Sequence, residues 1–194
     1  WLKLLARNQF NQGQTVNVSG GAGKSTYYVS LGYQTMSGTF TGDNMKLYTL
    51  MANVQGEISK RLSYQMSVNA SLRNANGFFN SVNPSDYALK TSRAISADSA
   101  YLKSYQFYSN MIGTQPLHYS IFNELKETGN TNSNQNFQAT ATLSYKILPG
   151  LTYQGLFSGS ISSNRSFQFA AAGSYLAATF RGYDEDLRVT TAIQ

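Results

Sequence analysis

The chain has 194 residues, of which 41% are hydrophobic, 13% aromatic and only 12% charged, with a formal net charge of +6. Fourteen Tyr and eleven Phe are too much aromatic surface for a disordered protein. No cysteine is present and His118 is the single histidine, which excludes disulfide scaffolds, thiol nucleophiles and most metal sites. The sequence offers no set of nucleophile, general base and a third residue to orient the base, so it does not predict an enzyme. It also predicts no bound metal or cofactor.

Basic residues occur singly along the chain, and no run of Lys and Arg forms a stripe that could follow a phosphate backbone. We therefore expect no nucleic-acid partner. The polar content comes instead from uncharged groups, because 24 Ser and 17 Asn outnumber the 24 charged residues. Such charge-poor polarity is unusual for a soluble surface, which carries about a quarter charged residues.

Hydrophobicity alternates with a period of two in six segments, which predicts β-strands at about 14–20, 26–36, 46–59, 62–73, 137–147 and 151–162. The clearest is 62–73. One face there reads Leu62, Tyr64, Met66, Val68, Ala70, Leu72, and the other reads Ser63, Gln65, Ser67, Asn69, Ser71, Arg73. Most of these segments are ten to thirteen residues long, whereas globular strands average about five or six. A tilted bilayer-spanning strand needs about nine to eleven residues.

The connections between these strands alternate in length. Short turns are expected at Gly20–Lys24, Lys60–Arg61 and Leu148–Gly150, a moderate loop at 37–44, and long segments at 74–136 and after 163. Short periplasmic turns and long extracellular loops are typical of outer-membrane β-barrels. Six strands are too few to close such a barrel, for which about eight is the minimum. We therefore expect a piece of a longer protein, a view that the start at Trp1 without Met also favours.

The main alternative is a soluble antiparallel β-sandwich, such as a glycan-binding module, in which the apolar faces form an internal core. Charge-poor polar faces on long strands, and loops that alternate in length, favour the barrel. The long loop 74–136 holds nine aromatic residues beside many Asn, Ser and Gln side chains. Such aromatics suit sugar rings or peptides, or they pack the loop against its own barrel. Four of them are candidates for ligand or partner contact: Tyr101, Tyr105, Phe107 and Tyr108.

Several short stretches, spread over nearly the whole chain, share their order and spacing with one known family. They read VNVSGG at 16–21, KSTYYVSLGY at 24–33, SDYAL at 85–89, FNEL at 122–125, TGN at 128–130, YKILPGL at 145–151 and RGY at 181–183, with Gly38 after the second. In these stretches the chain resembles the SusC/RagA-type TonB-dependent transporters of Bacteroidota. The matching region is an early part of the barrel.

The resemblance implies an all-β fold, in which about six strands belong to a 22-stranded barrel in the outer membrane. It implies TonB-driven import of oligosaccharides or peptides, together with a SusD-like surface lipoprotein that covers the barrel. TonB would act through a plug domain, which nothing in this sequence matches. The apolar strand faces would then contact outer-membrane lipid. The polar faces would line the lumen or contact the plug, with candidates Gln65, Asn69, Arg73, Gln138 and Thr142.

Overall fold

The computed structural model describes residues 1–79, 82–91, 109–110, 113–114, 120–171, 173–177 and 187–191. The helices in these ranges are α1 at Leu2–Leu5, α2 at Pro84–Lys90 and α3 at Ile121–Glu127, and residues 175–177 are also helical. The strands are β1 at Gln12–Ala22, β2 at Ser25–Ser37, β3 at Asn44–Glu57, β4 at Leu62–Gly77, β5 at Ser109–Asn110, β6 at Gly113–Thr114, β7 at Thr128–Leu148, β8 at Leu151–Ala170 and β9 at Leu187–Thr191.

Seven strands form one antiparallel sheet in the order β1-β2-β3-β4-β7-β8-β9, and β5 pairs with β6 in a separate ribbon. Within the described residues, β1 and β9 are the two edges and the sheet does not close on itself. The all-β, antiparallel class expected from the alternation is confirmed. The sheet has one strand more than the six expected, because β9 follows the last predicted segment.

The turns place three strand connections at one end of the sheet, which we call the turn end. Gly23 and Gly150 adopt φ of 61° and 89° in the β1–β2 and β7–β8 turns, a conformation that glycine takes without steric cost. The β3–β4 turn is closed by the hydrogen bond from the Ile58 amide to the Leu62 carbonyl, at 2.9 Å. The opposite end, where β4 leads into the long connection to β7, is the loop end.

Strands β4, β7 and β8 extend further toward the loop end than the sequence pattern indicates. β7 begins at Thr128 rather than near 137, β8 continues to Ala170, and β4 continues to Gly77. The connection therefore spans 78–127, which is shorter at both ends than the 74–136 expected. The added segments of β4 and β7 carry mainly polar side chains, so the alternation that marks a strand in the sequence is absent from them, whereas the added segment of β8 includes Phe167 and Phe169.

The buried apolar residues lie at the loop end, and all but Ala170, the last residue of β8, lie outside the sheet. They form one cluster, the loop core: Leu5, Phe79, Val82, Ile121, Ala170, Leu176 and Ala177. Phe79 follows β4, Ile121 begins α3 and Ala170 ends β8, so the cluster closes over the ends of the longest strands. In the part of the chain that the structure describes, no helix has the length and apolar character needed to span a membrane.

Candidate functional site

The strand register aligns the apolar side chains into continuous rows across the sheet. Paired residues in antiparallel strands share a face, so each row, here called a rung, can be followed from β1 to β8. The rung through Val68 contains Val18, Val29, Ala52, Val68, Ala139 and Gly159. The next rung toward the loop end contains Val16, Leu31, Leu50, Ala70, Phe137 and Ile161. These rungs and their neighbours between Leu62 and Leu72 of β4 form the apolar band.

Tyrosines border the apolar band at both ends. Toward the loop end, Tyr33 pairs with Tyr48, and their ring centroids are 5.1 Å apart. Toward the turn end lie Tyr64 on β4 and the directly paired Tyr145 and Tyr153. A tyrosine ring suits a boundary between apolar and aqueous surroundings because its face is apolar and its hydroxyl is polar.

The height of the apolar band matches the hydrocarbon layer of a membrane. From Leu62 to Leu72 the strand advances about 33 Å at the usual rise per residue. With a strand tilt of about 40°, this corresponds to a band about 25 Å tall, the height found in outer-membrane barrels.

The apolar band is open rather than packed against a second layer. Val16 is 65% exposed, Phe157 65% and Ile161 71%, although such side chains are normally buried in a soluble sheet protein. No described element covers this face, since the buried cluster lies at the loop end. The exposed area is continuous across six strands, and contiguous apolar surface of this extent marks an interaction with a partner or a membrane.

The opposite face is mainly polar, although it includes Met51 and Leu156, and it carries all five residues expected to line a lumen. Gln65 is paired directly with Thr142, and Asn69 with Gln138, while Arg73 lies on the same face opposite Asn134. Uncharged side chains bond across the strands on this face, as in the 3.3 Å contact between the Thr140 and Ser158 hydroxyls. The register therefore brings the five residues onto one surface. Their contact with a lumen or a plug stays a prediction.

Toward the loop end, beyond the rung of Tyr48 and Leu72, β7 is polar on both faces, and most side chains of β4 and β8 are polar, with Phe167 and Phe169 of β8 as exceptions. On the polar face next to this rung, Asn136 of β7 is hydrogen-bonded to both neighbouring strands, because its amide nitrogen donates to the Ser71 hydroxyl at 3.5 Å and its amide oxygen accepts from the Ser162 hydroxyl at 2.7 Å. The buried Oδ1 of Asn130 has no hydrogen-bond partner among the described residues. We call these segments of β4, β7 and β8 the polar extension, and most of its side chains are of the kind found on water-exposed strands.

A buried glutamate organises the loop core. Glu124 has no exposed surface, and its carboxylate accepts hydrogen bonds from the backbone amides of Tyr175 at 2.6 Å and Leu176 at 3.3 Å. The neighbouring Asn123 side chain donates to the Gly173 carbonyl at 2.8 Å. Burial raises the pKa of the Glu124 carboxyl above its ordinary value, and the two backbone donors only partly offset this effect. One acidic side chain thus joins α3 to residues 173–177.

No pattern in the sequence predicts a role for Glu124, which lies in the FNEL stretch at 122–125. A single Glu in a short helix carries no local sign of burial, and its partners lie about fifty residues away. The four aromatic candidates Tyr101, Tyr105, Phe107 and Tyr108 lie outside the described residues. Among the residues that are described, no group of His, Asp or Glu could hold a metal ion.

Comparison with known proteins relates the fold to one solved transporter. No protein-family model matches the chain, and no curated protein matches it. A solved structure of the RagAB peptide transporter aligns with a TM-score of 0.63 and 17% sequence identity, over 90% of this chain and 20% of that chain. The chain thus spans about a fifth of that chain's length. At this identity the likeness shows the fold, and the sheet described above is similar in fold to a segment of a transporter β-barrel.

Proposed function

We propose that this chain forms part of the wall of an outer-membrane active transporter of the SusC/RagA type, which imports oligosaccharides or peptides. The observation that carries the proposal is the apolar band. It is exposed, bordered by tyrosines and about as tall as the hydrocarbon core of a membrane. The solved neighbour with a similar fold is a peptide transporter, which favours transport over other barrel functions.

An open sheet cannot span a membrane by itself, because the unpaired amides and carbonyls at its edges would lie in hydrocarbon. The edges β1 and β9 therefore pair, in this proposal, with further strands of a larger barrel. A plug inside that barrel couples import to TonB, and a SusD-like lipoprotein covers its extracellular mouth. The polar face, with Gln65, Asn69, Arg73, Gln138 and Thr142, borders the lumen. No covalent chemistry is required of any residue.

The exposed apolar band also argues against the alternative of a soluble glycan-binding module. A sandwich buries the inner faces of two sheets against each other, about 10 Å apart. Here the described residues leave the apolar band uncovered, and the buried cluster sits at one end of the strands. Burying that face would require a second sheet of comparable length.

Expression of the complete reading frame tests the proposal. We expect the protein in the outer-membrane fraction and soluble only with detergent. We also expect a shift in electrophoretic mobility after heating, because a closed barrel resists unfolding until it is boiled. Deletion of the plug-encoding region should abolish uptake of labelled oligosaccharides or peptides and leave the mobility shift intact. A detergent-free, monomeric protein without a heat-dependent shift would establish the soluble alternative.

A further inference from the structure

A rung with two cations lies immediately beyond the tyrosine border at the loop end, on the same face as the apolar band. Lys46 on β3 pairs with Asn74, Asn74 with Ser133, and Ser133 with Arg165 on β8. We call these four residues the cationic rung. It follows the rung of Tyr48 and Leu72 by two positions, which is about 7 Å along the strand.

Among the described residues, no acidic side chain forms an ion pair with either cation of the cationic rung. Lys46 and Arg165 are both exposed, and the ion pairs among the described residues are formed by other cations: Lys24 with Glu57, Lys90 with Asp86 and Lys126 with Glu127. Three strand spacings separate the two backbones by about 14 Å. Between them the Ser133 hydroxyl donates to the Asn74 side-chain oxygen at 2.8 Å. The rung thus offers two cations that flank two uncharged polar groups.

A groove runs across the strands on the turn-end side of this rung. Its volume is about 760 Å³, and apolar or aromatic side chains form both walls, among them Leu31, Leu50 and Phe137 on one side and Tyr33, Tyr48 and Leu72 on the other. The backbone of the intervening positions, such as Gly32 and Thr49, forms its floor. The groove therefore continues the apolar band up to its tyrosine border.

We propose that this surface binds a phosphate-bearing lipid of the surrounding bilayer, with an acyl chain in the groove and the phosphate on the cationic rung. The surface changes from apolar through tyrosine to cationic in the order in which such a lipid changes from tail to headgroup. Arg and Lys bind phosphate oxygens with charge-assisted hydrogen bonds, and Arg does so with two parallel N–H groups. The inference rests on the proposed function, since it requires the apolar band to face the membrane.

The test uses the full-length protein, purified in uncharged detergent and stripped of lipid. Phosphatidylglycerol is titrated in, and bound lipid is counted by native mass spectrometry. Diacylglycerol, which has the same acyl chains and no phosphate, is the comparison ligand. The double variant Lys46→Gln/Arg165→Gln removes the proposed contacts. Lys60→Gln/Arg61→Gln removes the same charge from an exposed turn at the opposite end and serves as the matched control.

We expect the Lys46/Arg165 variant to bind phosphatidylglycerol about tenfold more weakly or worse, while the turn variant and the wild type bind alike. Wild type should also prefer phosphatidylglycerol over diacylglycerol, and the Lys46/Arg165 variant should lose that preference. Equal affinity of both double variants, or equal binding of the two lipids by the wild type, would overturn the inference. The heat-dependent mobility of the wild type distinguishes failure of the lipid-site inference from failure of the proposed function. The mobility shift is retained if only the lipid site is absent, and it is lost if the protein forms no barrel.

Discussion

Replacing Val68 by arginine should damage assembly far more than the same change at its neighbour Asn69. Val68 lies near the middle of the apolar band, between Ala52 and Ala139, whereas Asn69 points to the polar face opposite Gln138. An arginine on the lipid face at the bilayer midplane costs about 2 to 4 kcal/mol, and an arginine facing an aqueous interior costs much less. The ratio of folded to unfolded protein should therefore fall about 30- to 900-fold for Val68→Arg.

The assay is reversible folding of the full-length barrel into phospholipid vesicles across a urea gradient, followed by tryptophan fluorescence and heat-dependent mobility. Both variants add one arginine, and they differ only at two neighbouring positions, so the net charge of the chain is matched. A shift of the folding midpoint for Val68→Arg alone is expected. Equal midpoints would show that the two faces are assigned wrongly, and a larger effect at Asn69 would show that the polar face is the packed one.

Four further predictions concern the buried Glu124, the orientation of the sheet and the aromatic residues of the long connection. Because burial raises the pKa of Glu124, the contribution of this carboxyl to stability is present below its ordinary pKa of 4.5 and is lost as pH rises through the higher folded-state pKa. In the wild type, hydrogen exchange at residues 173–177 should therefore accelerate with pH more than the intrinsic exchange rate does. Glu124→Gln should abolish this extra acceleration, and the surface control Asp86→Asn should retain it. Glu124→Ala, which removes the acceptor of the Tyr175 and Leu176 amides, should cost about 1 to 3 kcal/mol in the same measurement. In intact cells, Thr131→Cys should react with an impermeant thiol reagent and Lys60→Cys should not; the reverse pattern would invert the proposed topology. We expect one or two of the four aromatic candidates to contribute about 2 kcal/mol or more to binding of the ligand or the lipoprotein. The measurement is ligand uptake and lipoprotein co-purification for alanine variants of Tyr101, Tyr105, Phe107 and Tyr108 that retain normal barrel abundance. If all four variants behave like the wild type, these aromatics only pack the loop.

The sequence predicted the apolar band well because its signal is repeated and local. Each strand from β1 to β4 alternates over many residues, and short turns fix which strands are neighbours, so the face of Val68 or Leu50 follows from parity alone. The pairing of β4 with β7 was also accessible, since the long connection separates two segments with matching alternation.

The polar extension of the strands was not accessible from the alternation. Residues such as Asn74, Asn132 and Ser133 are paired in the sheet, yet no apolar face accompanies them and their composition is that of a loop. Backbone pairing to neighbouring strands holds them extended, and a single sequence does not display that pairing. The buried position of Glu124 was hidden for a related reason, because it depends on amides about fifty residues away.

Strand β7 is long enough to pass from one environment into another. From Gln135 to Thr128 the strand rises about 23 Å beyond the tyrosine border, or about 18 Å along the membrane normal at a 40° tilt. The headgroup layer accounts for only about 5 to 8 Å of that. In the proposed orientation the same continuous hydrogen-bonded ladder thus crosses from hydrocarbon into bulk water. Amide exchange along β7 should then change in a step near Asn136, with fast local openings above it and almost none below, because an amide that opens in hydrocarbon finds no water to exchange with.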